Sequence, residues 1–121
     1  VTKTILIVEN NKLNLKLFND ILQVNAYKTV QTSDEREAID LAREHQPDLI
    51  IMDIQSRGIS GLEVTSMIKA DADLRGIPII AVTALAMKND ERNILNGGCD
   101  GYISKPISIP QFLKAINNYL S

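Results

Sequence analysis

The stretch Leu49-Ile50-Ile51-Met52-Asp53 decides the fold. Four apolar residues follow one another without a polar break and end on a carboxylate. A strand with one wet face alternates apolar and polar residues, so an unbroken run predicts a strand covered on both faces. Two other runs share this form. Ile5-Leu6-Ile7-Val8 leads into Glu9-Asn10, and Ile79-Ile80-Ala81-Val82 leads into Thr83. Tyr102-Ile103 is shorter and leads into Ser104-Lys105-Pro106. Tyr27-Lys28-Thr29-Val30-Gln31-Thr32 alternates, as an edge strand does.

Segments of helical period separate these runs. Leu13, Leu17, Phe18, Ile21 and Leu22 mark a first helix from about Lys12 to Asn25. A second follows Asp34 and buries Ala38, Leu41 and Ala42, and a third follows Ser60 and runs to about Ala70. A fourth is expected between about Leu85 and Asn96, ended by Gly97-Gly98. The last carries Ile109, Phe112, Leu113, Ile116 and Leu120. Asp34-x-x-Glu37, Ser60-x-x-Glu63 and Ser108-x-x-Gln111 fit the reciprocal capping pattern of helix starts. Pro110 falls in a first turn, where its missing N–H costs nothing.

Five strand–helix units predict an α/β fold, a doubly wound sheet of five parallel strands. The three apolar runs are central, and strands 2 and 5 are edges. Right-handed crossovers then give the order 2-1-3-4-5, the flavodoxin-like (βα)5 arrangement. Such sheets bind ligands outside the carboxyl ends of their strands, where the order reverses, here between strands 1 and 3. Glu9, Asn10 and Asp53 lie there.

Composition narrows the function. A chain of 121 residues with 45% hydrophobic content suits one domain, expected over 1–121. No apolar run is long enough for a membrane span and no signal-peptide pattern appears, so a cytoplasmic protein is expected. A formal net charge of -2 without a Lys/Arg cluster argues against nucleic acid as the partner. Cys99 and His45 are the chain's one cysteine and one histidine, which rules out an intrachain disulfide and argues against zinc. Cys99 reads as a small, partly buried apolar residue and His45 as a polar residue in a helix's last turn.

An Asp or a Thr after a strand is usually a turn residue, and Lys-Pro usually a loop. Together the strand ends carry more: a carboxylate, an acid–amide pair, a hydroxyl and an ammonium converge on one sheet edge. That set suits phosphoryl transfer, with a nucleophile, a metal platform, a hydrogen-bond donor and a counter-charge.

These motifs, with Pro47-Asp48 before the third strand, Ile59-Ser60-Gly61-Leu62-Glu63-Val64, Ile77-Pro78 before the fourth, Thr83-Ala84, and Gly97-Gly98-Cys99 through Pro106-Ile107, cover nearly the whole chain. The chain resembles the receiver domain of two-component response regulators, of the single-domain CheY-like kind, and most closely the DivK type of bacterial cell-cycle regulator. The resemblance implies that Asp53 accepts a phosphoryl group from a histidine kinase or phosphotransferase. It implies a Mg²⁺ held by Glu9, Asn10, Asp53 and the backbone carbonyl of Gln55. Lys105 would pair with Asp53 and then with a phosphoryl oxygen, and Thr83 would donate its hydroxyl. Tyr102 would change rotamer as Thr83 moves, switching a protein-binding surface made of the predicted fourth helix, the fifth strand and the last helix. Met87, Lys88 and Asn117 are its exposed candidates. Any enzymatic chemistry would be limited to self-phosphorylation and self-dephosphorylation, in cell-cycle or developmental control. No output domain follows the last helix, so output through a protein contact is expected.

Two positions depart from the family. The acidic pair after strand 1 reads Glu9-Asn10, so one metal ligand is neutral and Mg²⁺ binding is expected to weaken. The loop after Asp53 carries Arg57-Gly58 where a proline is common. Asn10 sustains an alternative, a receiver-like binding module that signals by protein contacts with little or no phosphorylation. A flavin-binding protein is disfavoured because Glu9-Asn10-Asn11-Lys12 lacks the small and hydroxyl residues that cradle a phosphate.

Overall fold

In the computed structural model, which describes residues 2–54, 61–83, 98–104 and 107–120, each apolar run is a strand. The elements are β1 (Thr4–Val8), α1 (Lys12–Val24), β2 (Lys28–Thr32), a 3-10 turn (Glu35–Glu37), α2 (Ala38–His45), β3 (Leu49–Asp53), α3 (Gly61–Ala70), β4 (Ile79–Thr83), β5 (Gly101–Ser104) and α4 (Ile109–Leu120). The helix expected over 85–96 lies outside the described residues. The five strands form one sheet in the order β2-β1-β3-β4-β5, and every pairing is parallel. The sequence predicts this order and this set of edges.

Alternation along the strands divides the core between two layers. Leu6, Val8, Ile50, Met52, Ile79 and Ala81 point to one face, where Ala38 and Ala42 of α2 and Val64 and Ile68 of α3 cover them. Ile5, Ile7, Leu49, Ile51, Ile80 and Val82 point to the other, covered by Phe18 and Leu22 of α1 and Phe112 and Ile116 of α4. The Phe18 and Phe112 rings stack with centroids 5.2 Å apart. This contact joins α1 to α4 across the sheet face.

Two expectations change. In α1 the buried residues are Phe18 and Leu22, with Leu15 and Ile21 packed beside them. Leu13 and Leu17 face outward, 80% and 40% exposed. The helix carries two apolar stripes, and the one with the phenylalanine turns inward because it buries more surface. The capping pattern at Asp34 does not form. Thr32 Oγ1 accepts the Asp34 N–H at 3.0 Å, and the Asp34 carboxylate takes the Arg36 N–H and guanidinium instead. A 3-10 turn therefore precedes α2, whose cap residue Glu37 makes no side-chain capping bond. The last helix begins directly after Ser108, whose carbonyl accepts the Phe112 N–H.

The end of α1 is strained. Ala26 sits at φ 68, the left-handed region that favours glycine. Its N–H donates to the Gln23 carbonyl, and the Tyr27 N–H reaches back to the Leu22 carbonyl at 3.0 Å. These two bonds, with Tyr27 and Leu22 in one apolar cluster, make a Schellman ending. Holding an L-residue there costs roughly 1–2 kcal/mol. Ala26→Gly should therefore stabilise the fold by about 1 kcal/mol, after the extra freedom glycine gives the unfolded chain. Urea unfolding checks it, and an unchanged or lower midpoint would show that the Cβ imposes no strain.

Candidate functional site

The register of the sheet builds the site. Val8 of β1 pairs with Met52 of β3, so the next residues along, Glu9 and Asp53, stand at neighbouring strand ends. Asp53 is also in register with Val82 of β4. The Glu9 N–H donates to the Thr32 carbonyl at 3.1 Å, which carries the β2 pairing one step past β1. Each carboxyl group comes from a strand flanked on both sides, and both residues are only 1% exposed. One side-chain oxygen of Glu9 accepts the Asn11 N–H at 3.3 Å.

Asn10 follows Glu9 and is exposed. Thr83 closes β4 opposite Ser104, and its side chain falls outside the description. Tyr102 lies opposite Ala81 and packs partly buried against the α2–α3 layer. Gln55, Arg57, Met87, Lys88 and Lys105 lie outside the described residues. Asn117, expected to be free for a partner, is exposed but accepts a hydrogen bond from the Tyr27 hydroxyl.

Two buried carboxylates at adjacent strand ends bring hard oxygen donors together at one edge of the sheet. A hard divalent cation suits such a donor set. Mg²⁺ prefers oxygen ligands, keeps several waters and needs only one or two carboxylates. Glu9 and Asp53 fit that requirement, with the Asn10 amide oxygen as a neutral neighbour. Among the described residues, no group of three His, Cys, Asp or Glu side chains gathers to hold a cation, here or elsewhere. Cys99 is buried, and burial pushes its thiol pKa up, so it packs as an apolar residue beside Thr65. His45 closes α2, exposed.

Sequence reasoning missed Asn11. It caps α1, its side chain accepting the Leu13 and Asn14 N–H groups at 3.0 and 3.2 Å. The signal was present: an asparagine directly before the predicted helix start is a preferred cap.

Comparison with known proteins agrees with this geometry. The response regulator receiver domain family matches residues 5–117. The chain is 58% identical over 120 residues to the polar-differentiation response regulator DivK of Brucella ovis, covering 99% of this chain and 98% of that protein. DivK of Brucella anthropi is also 58% identical, over 98% of this chain and 96% of its own. The receiver domain of a sensor histidine kinase from Pseudomonas aeruginosa superposes with a TM-score of 0.90 at 28% identity, covering 98% of both chains. That structure has a magnesium ion coordinated in its active-site cleft. A response regulator structure from Chloroflexus aurantiacus, at 21% identity over 99% of this chain and 98% of its own, shares the fold with a TM-score of 0.94. Among the described residues no helix is long and apolar enough to cross a membrane.

A cation held by groups that only the folded chain brings together stabilises the fold. Adding Mg²⁺ to a hundred times its dissociation constant should raise the unfolding free energy by about 2.7 kcal/mol. Asp53→Asn should lose most of that rise. Denaturant unfolding with and without Mg²⁺ reads it, and an equal rise in both proteins would place the cation elsewhere.

Proposed function

We propose that this chain, which belongs to the response regulator receiver domain family, is a phosphorylatable switch. The observation that carries this reading is the pair of buried carboxylates set side by side by the β1–β3 register. An Asp53 oxygen attacks the phosphorus of a phosphohistidine on a partner kinase or phosphotransferase. The new O–P bond forms as the N–P bond breaks, and the histidine leaves with the electron pair. Burial of Asp53 limits the access of bulk water to the acyl phosphate that results.

Glu9, Asp53, the Asn10 side chain and the Gln55 carbonyl would hold Mg²⁺, which neutralises charge on the phosphoryl oxygens. Lys105 supplies a mobile ammonium as a second counter-charge. The Thr83 hydroxyl donates to the phosphoryl group, and Tyr102 follows Thr83. The surface of β5, α4 and residues 85–96 passes the state to a downstream protein. The likeness to DivK proteins supports a place in polar differentiation or cell-cycle control.

A second reading has its own support. Asn10 is neutral and exposed at the mouth of the site, so the donor set lacks a charge it would otherwise have. On that reading the chain is a binding module that works through protein contacts with little phosphorylation.

Two experiments test these readings. Asp53→Asn should abolish covalent phosphate after treatment with a small phosphodonor and Mg²⁺ while leaving the circular dichroism unchanged. Mass spectrometry decides it, and phosphate retained on the variant moves the acceptor elsewhere. Wild type without phosphate favours the binding module. Asn10→Asp restores a charged ligand at a wet, shallow site. It should tighten Mg²⁺ by roughly 1–3 kcal/mol, about 5- to 150-fold, and speed phosphorylation at low Mg²⁺. Equal affinity and rate in a Mg²⁺ titration would show that the Asn10 amide already suffices.

A further inference from the structure

We propose that Asn11 is a positioning residue for the cation site, acting through the carboxylate of Glu9. The inference rests on the reading of Glu9 and Asp53 as the cation platform. Three bonds lock Asn11. Its side-chain oxygen accepts the Leu13 and Asn14 N–H groups, and its carbonyl accepts the Leu15 N–H at 2.9 Å. Its φ of -86 and ψ of 114 are the extended values that a cap residue needs. With side chain and carbonyl fixed to the first turn of α1, the direction of its own N–H is fixed as well. That N–H reaches Oε1 of Glu9.

The helix start and the buried acid are therefore one unit. On its other side the Glu9 main chain is held by the Thr32 carbonyl of β2. A glutamate has three side-chain torsions to settle before it can serve as a ligand, and a donor fixed by the helix removes part of that freedom in advance. Partners that orient a ligand from behind commonly change metal affinity by 10- to 100-fold when lost. Asn11 itself is exposed, so its role is not to fill the core.

The substitutions separate positioning from helix stability. Alanine is a poor cap, so Asn11→Ala loses both the cap and the anchor. Glycine caps nearly as well as asparagine, within a few tenths of a kcal/mol, yet has no side chain to lock the N–H. Serine restores a side-chain acceptor without adding charge. The whole chain is titrated with magnesium chloride alone. Amide shifts and the Glu9 carboxyl carbon shift are followed by NMR, with urea unfolding alongside.

Asn11→Ala and Asn11→Gly are expected to weaken Mg²⁺ by about tenfold. The Glu9 carboxyl shift should move in both before any metal is added. Asn11→Ser should stay within about twofold of wild type. The glycine variant keeps the test valid if the alanine variant folds poorly. Wild-type affinity in Asn11→Gly, or an equal loss in Asn11→Ser, overturns the proposal. A wild-type protein whose Glu9 and Asp53 signals ignore Mg²⁺ overturns the platform itself, and this inference with it.

Discussion

One pairing carries the rest of the structure: β1 beside β3, with Val8 opposite Met52. It is a crossover pairing, since β2 lies outside β1 and β3 lies on its other side. Because both strands are parallel and buried on both faces, neither can slip by one residue without turning its core side chains to the wrong layer. The register is thus set by ordinary hydrophobic packing, Leu6 and Ile50 to one layer and Ile5 and Leu49 to the other. The meeting of Glu9 and Asp53 is a consequence. Two acids are brought to neighbouring strand ends by apolar contacts that have no part in their chemistry.

Much of this was legible in the chain, for a physical reason. Strands covered on both faces must be apolar throughout, so Ile5–Val8, Leu49–Met52 and Ile79–Val82 stand out from any amphipathic background. Their order follows from handedness and from which strands alternate. The residues at their ends then fall on one edge without knowledge of any distance. Helix faces were less legible. In α1 the residues Leu13, Leu17 and Val24 recur at helical spacing as well as the buried set does, and sequence spacing cannot say which stripe the sheet will take. The failed cap at Asp34 has a similar origin, since Thr32 and Arg36 compete locally for the same groups. The cap role of Asn11 could be read from its place before the helix, whereas its bond to Glu9 depends on a main-chain N–H, which no residue pattern displays.

The end of the sheet away from the site is tied by polar contacts. Lys69 of α3 reaches the carbonyls of Arg75 and Ile77 and the carboxylate of Asp100, which also accepts the Ile79 N–H. The Asp100 carbonyl takes the Tyr119 hydroxyl of α4, and Gly101 leaves room for that ring. The start of β4, the start of β5 and the two helices of opposite layers thus meet at one residue. On the proposed switch reading, charge would change at the carboxyl ends while these amino-end contacts hold the strands in place.

Asn10 alters the charge balance at the working end in a way that affinity alone does not describe. On the proposed reading Glu9 and Asp53 are the two carboxylate ligands of the divalent cation, with Lys105 as a further counter-charge. On that reading a third carboxylate would hold the cation more tightly but add one more negative charge beside the incoming phosphoryl group, which is itself an anion. A neutral amide at this position therefore has opposite effects on two steps. It weakens the hold on the cation and lowers the repulsion that the phosphoryl group meets once the cation is bound. On that reading the substitution moves to higher Mg²⁺ the concentration at which the site fills, through a single exposed side chain outside the packed core.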